Sequence, residues 1–212
     1  MSKVKFWLLL EFVILFFGVP TWIYLDQDFI NPSILILPVL VFILILLRRS
    51  SDFNWRELFR WEVARKTIYT NVVIILFSTG MMLAYVYYFH REDLFNLPRA
   101  NIWIYLGMCI FYPVFSAFGQ EIIYRTFLSR RYSRIFTRGW QFILASAITF
   151  SFMHIVYYNP VSLILTFIGG LYFAWNYQLT RSVLFTSVLH GIFGIIMFGV
   201  GLGQHFWLDM PV

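Results

Sequence analysis

Residues 101–123 read NIWIYLGMCIFYPVFSAFGQEII, and Glu121 is the one charged residue among them. At 1.5 Å per residue a helix over this run is about 35 Å long, enough to cross a hydrocarbon core of about 30 Å. Arg125 follows four residues after Glu121. On a helix that spacing puts both side chains on one face, where they pair. An ionised carboxylate alone at the bilayer centre costs about 2.5–3.5 kcal/mol on insertion scales, so an acid within a span needs a partner and usually has a function. The same two residues also fit an ion pair at a helix end, with Arg125 reaching toward the headgroups.

The rest of the chain has the same character. Hydrophobic residues make up 60% of the 212, charged ones 12%, and the mean hydropathy is +0.75. Soluble domains carry about 25% charged residues, so the composition points to an all-α, polytopic membrane helix bundle forming a single domain over 1–212. Seven apolar runs are long enough, or nearly so, to span: 6–25, 34–47, 67–89, 101–123, 140–158, 161–177 and 183–202. The second is short unless it begins by Ile30, with Pro32 then in its first turn. The first follows Lys3 and Lys5 and lacks a small-residue cleavage pattern, so it reads as a retained helix, with Glu11 near enough to its start to snorkel. The single Cys109 excludes a disulfide framework.

The net charge of +6 does not call for nucleic acid, because the basic residues lie in short loops between apolar runs. If the chain weaves, fourteen of the sixteen fall on one side: Lys3, Lys5, Arg48, Arg49, Arg56, Arg60, Arg65, Lys66, Arg125, Arg130, Arg131, Arg134, Arg138 and Arg181. Arg91 and Arg99 fall opposite, with Asp26, Asp28, Glu92, Asp93 and Asp209. The positive-inside rule then places the N-terminus in the cytoplasm and the C-terminus outside. A compact chain without eukaryotic targeting signals suggests a bacterial inner membrane.

Between the second and third runs, residues 52–66 mix Phe53, Trp55, Leu58, Phe59 and Trp61 with Arg56, Glu57, Arg60 and Arg65. The pattern predicts one interfacial amphipathic helix on the membrane lipids, with Asp52 as its N-cap. Glycines in the last runs (Gly169, Gly170, Gly191, Gly194, Gly199, Gly201 and Gly203) predict close helix packing.

Two of the four histidines, His154 and His190, lie inside predicted spans, whereas His90 and His205 lie at span ends and read as interfacial. Two histidines and a carboxylate on three helices suit water attack on a carbonyl. The carboxylate takes the proton, one histidine orients the water or shares the proton, and the other donates to the oxyanion. Glu121, His154 and His190 also make a two-His, one-carboxylate zinc set, although no local pair of ligands supports it and Arg125 competes for the carboxylate.

The order of these residues resembles the CAAX-protease and bacteriocin-processing family of intramembrane proteases. Gln120-Glu121-x-x-x-Arg125 is similar to its first motif, Phe150-x-x-x-His154 to its second and His190 to its third, so the family-like core covers about 100–202. The resemblance implies an all-helical membrane fold and hydrolysis near the C-terminus of a hydrophobic or tailed protein or peptide by a glutamate-activated water. The weak zinc set makes the metal-free form the preferred one. Two positions depart from the family. Gln120 stands where the family has the glutamate usually assigned as base, and Gly194 stands where it has Asn or Asp. The base then falls to Glu121 with His154 as partner and His190 as oxyanion donor, Gln120 holding water or a carbonyl. The alternatives are a pseudoprotease or immunity-type scaffold that binds a hydrophobic peptide, and a proton-relaying transporter. Straight spans over these runs would leave a vertical gap of about 15 Å between Glu121 and His154, so a shared site requires staggered helices.

Overall fold

The structure is a computed structural model that describes residues 2–26, 32–50 and 53–206, without the side chains of 32–36. Asp28, Ile30, Asp52 and Asp209, used above for orientation, span length and capping, lie outside the described residues. Among those described there is helix and no strand.

Helix α1, Lys3–Leu25, opens on Ser2, whose hydroxyl accepts from the Lys5 amide at 3.4 Å. Helix α2 is Pro32–Arg48, with proline at its first position, where no amide is missed. Helix α3 is Arg65–Phe89 and α4 the short Asn96–Ala100. Helix α5 runs Ile102–Arg131, and Asn101 caps it by accepting from the amides of Trp103 and Ile104, each at 3.1 Å. Helices α6, Gly139–Tyr157, α7, Pro160–Thr180, and α8, Val183–Val200, complete the bundle.

Five of these helices, α1, α3, α5, α6 and α8, are long and apolar enough to cross a membrane. Only 6% of the α3 window is buried, against 67% of the α8 window. Leu76, Phe77 and Tyr88 on α3 are among the most exposed large side chains, a surface suited to lipid rather than water. Helix α8 is thus the central post. Helix α7 has 21 residues, but Tyr172, Asn176, Tyr177 and Gln178 dilute its hydropathy. Its polar face has a use: Asn71 of α3 donates to Asn176 at 2.9 Å and accepts from the Tyr172 hydroxyl, joining α3 to α7 away from lipid.

The predicted close packing is realised between α6 and α7. A Cβ on Gly170 would lie 2.9 Å from the Ala147 Cα, so only glycine admits this approach.

The predicted interfacial helix over 52–66 is not formed as such. Its described part holds a five-residue 3-10 helix, Trp55–Phe59, followed by non-helical residues up to Ala64. Asn54 caps the turn reciprocally with Glu57. Tertiary partners then take the chain out of helical geometry. The Arg60 carbonyl accepts from the Ser182 hydroxyl, Glu57 pairs with Arg130, and Trp61 meets Phe185 edge-on at 5.5 Å.

Candidate active site

Helix α5 carries the first half of the site. It is wound wide twice, as π-helix at Tyr112–Ala117, where Pro113 supplies no amide, and again at Ile122–Phe127. Between these lies the α-helical turn Phe118–Glu121. Gln120 and Glu121 project in different directions, as neighbours on a helix do.

Glu121 points into the bundle and is completely buried, as is Arg125. The Arg125 Nε lies 3.0 Å from Glu121 Oε2, and His190 Nδ1 donates to Glu121 Oε1 at 3.0 Å. The guanidinium sits over the rings of Phe150 and Phe173, at 5.3 and 5.9 Å, and donates from Nη1 to the Ser146 hydroxyl. Arg125 therefore does not reach for headgroups. It neutralises the acid inside the protein.

His190, on α8, is fixed on both nitrogens. With Nδ1–H given to the carboxylate, Nε2 accepts from the Tyr112 hydroxyl at 3.1 Å. Phe173 stacks on its ring at 4.8 Å. His154 opens the 3-10 turn that ends α6, and its Nδ1 lies 2.7 Å from the Phe150 carbonyl. A carbonyl only accepts, so Nδ1 carries the proton and Nε2 keeps its lone pair. The Phe150 ring stands between the two histidines, 4.9 Å from one and 5.4 Å from the other.

Glu121 and His154, expected about 15 Å apart in straight spans, are not in contact: His190 and Phe150 lie between them. The apolar run ends at Ile123, but the helix continues to Arg131 because Arg125 is buried rather than terminal. Glu121 therefore lies ten residues, about 15 Å, inside the end of its helix.

Two apolar lobes meet at this point. One, of about 250 Å³, is bounded by α3, α5, α6, α7 and α8 and includes Tyr112, Gln120, His154 and His190 in its wall. The other, of about 300 Å³, lies on the far side of α5 against Phe16 and Val19 of α1 and Val39 and Ile43 of α2. Ser116, Gln120, His154 and Tyr157 belong to both walls and form a polar waist. The Gln120 amide donates to the Ser116 hydroxyl at 2.8 Å. Glu121 and Arg125 touch neither lobe.

Tyr112 is the residue of this cluster that the sequence did not single out. A Cβ on Gly194 would fall 2.1 Å from its ring, so the space that an Asn or Asp side chain would need at 194 is filled by the tyrosine. The polar contact with His190 comes from α5 instead. A tyrosine in mid-span was the only signal, and its partner lies 78 residues away.

The zinc alternative does not fit these side chains. One oxygen of Glu121 is taken by His190 and the other faces Arg125. Among the described residues, the group of three possible ligands with converging atoms is instead His90, Glu92 and Asp93, at the other end of the bundle from the basic loops.

Residues 101–196 match the family model described as Rce1-like, type II CAAX prenyl endopeptidase Rce1-like, in agreement with the resemblance carried by the motifs. The matched segment holds Tyr112, Gln120, Glu121, Arg125, His154, His190 and Gly194, whereas α1 and α2, which wall the second lobe, precede it. No curated protein and no solved structure matches the chain.

Proposed function

We propose that this chain, of the Rce1-like protease family over residues 101–196, is an intramembrane endopeptidase that hydrolyses a peptide bond at the waist between the two lobes. The observation that carries the proposal is His154 at that waist, a wall it shares with Gln120, its Nε2 without a hydrogen-bond partner among the described residues. His154 Nε2 takes a proton from water as the oxygen attacks the carbonyl carbon. The same proton passes to the leaving nitrogen when the C–N bond breaks. The Gln120 amide, with one N–H beyond the one given to Ser116, is the donor available to the oxyanion. Glu121, read from the sequence as the base, acts here through His190: it fixes that imidazole, which in turn orients Tyr112.

The substrate is a hydrophobic or C-terminally tailed membrane protein or peptide. Apolar walls on both sides of the waist suit a chain that carries apolar groups on either side of the scissile bond. The test is co-expression with candidate tailed proteins. Wild type should release the tail and Glu121→Ala should not; equal release by both would sink the proposal.

A non-catalytic scaffold is the second reading, favoured by one observation: among the described residues no carboxylate lines either lobe. Such a protein would bind the tail and leave it intact.

We also propose seven spans, with α2 and α7 added to the five above, and the basic loops in the cytoplasm. In a Cys109→Ser background, single cysteines at positions 50 and 93 should label from opposite sides of the membrane. Labelling from the same side would overturn the orientation.

A further inference from the structure

Away from the waist, three arginines from distant parts of the sequence converge at the end of the bundle that carries the basic loops. Arg60, Arg130 and Arg181 line a pocket of about 340 Å³ with Glu57, Ser129 and Tyr177. Two of them are held in place. The Arg60 carbonyl accepts from the buried Ser182 hydroxyl, next to Arg181, and the Arg60 guanidinium pairs with Glu62. Arg130 lies over Phe53 at 5.4 Å and pairs with Glu57, whose charge it meets.

Arg181 differs from both. It ends α7 in the left-handed region, φ 52°, where glycine or asparagine is usual and any other residue is strained. Its side chain is exposed and, among the described residues, has no ion-pair partner. Selection for positive loops accounts for arginines on this side of the protein. It requires neither that they share one concavity nor that one sit at a strained helix end.

We propose that this pocket binds a phosphate group, with Arg181 supplying the unpaired charge and Arg60, held through Nη2 by Glu62, further N–H donors. The phosphate is that of an anionic phospholipid headgroup or free phosphate, the chemistry being the same. The pocket is separate from the waist, and its occupancy does not depend on proteolysis.

The test is native mass spectrometry of the full-length protein in detergent with phosphatidylglycerol, alongside a titration with inorganic phosphate. Wild type should retain the lipid. Arg181→Asn, which suits the left-handed backbone and removes the charge, should lower retention about fivefold, as loss of one surface cation near the headgroups implies. Arg134→Gln, exposed in the same set of basic loops but outside the pocket, should leave retention unchanged. Displacement of the lipid by inorganic phosphate would name the phosphate group itself as the ligand. Failure to displace it would assign the pocket to the lipid. Equal retention by wild type and Arg181→Asn, or an equal loss in Arg134→Gln, would overturn the proposal, since general surface attraction would then suffice.

Discussion

Replacing Arg125 by alanine is expected to destabilise the protein by about 3–5 kcal/mol, the cost of breaking a buried ion pair from one side. Glu121 has no exposed surface, and its second oxygen faces Arg125. Without the guanidinium an uncompensated carboxylate would remain beneath Phe150 and Phe173, and Ser146 would lose its charged partner. Arg125→Lys should recover only part of the loss, because a point charge lacks the planar surface that lies over two rings and the second donor that reaches Ser146. Arg125→Met combined with Glu121→Gln should be more stable than Arg125→Ala, since no charge is then stranded. Thermal unfolding in detergent measures all three. An unchanged melting temperature for Arg125→Ala would mean that the pair contributes nothing to the fold.

The second large effect concerns turnover. His154→Ala should lower cleavage by a factor of about 10²–10⁴, the usual contribution of a positioned base. Glu121→Gln should also be severe, because an amide has one accepting oxygen and so cannot accept from both His190 and Arg125, and it leaves the guanidinium without a countercharge. Tyr112→Phe removes the hydroxyl that holds His190 Nε2 and should lower cleavage, with little change in stability because the ring still fills the space beside Gly194. Gln120→Ala should leave a measurable fraction, because His154 still supplies the base. Purified wild type and variants reconstituted in vesicles would give these rates. Full activity in His154→Ala would remove the imidazole from the mechanism.

The helices were legible where apolar residues run unbroken. Helices α1, α3, α5, α6 and α8 lie where hydropathy placed them, because a span needs only length and apolar surface. Counting apolar residues failed at Arg125. The run stops there, the helix does not, and the charge goes inward because Glu121 is one turn away. The segment at 52–66 misled for a different reason. Its amphipathic pattern is real, but Ser182, Phe185 and Arg130 offer Arg60, Trp61 and Glu57 better partners than a continued helix.

Within the site, Glu121, Arg125, His154 and His190 stood out because polar side chains in apolar spans are costly and few. Which face each would occupy did not stand out. The wide turns flanking Phe118–Glu121 send Gln120 to the waist and Glu121 to the core, and that winding depends on packing against α8. Tyr112 was hidden because a tyrosine is unremarkable until Gly194 is seen against its ring.

The most direct test of the central claim, water attack at the waist, is cleavage of a tailed membrane substrate in heavy-oxygen water. Product mass and substrate binding are followed together for wild type and His154→Ala. Wild type is predicted to release a product whose new carboxyl group carries one heavy oxygen, while His154→Ala binds the same substrate and leaves it intact. A wild-type protein that binds the substrate and never cuts it would contradict the claim and leave the chain a scaffold.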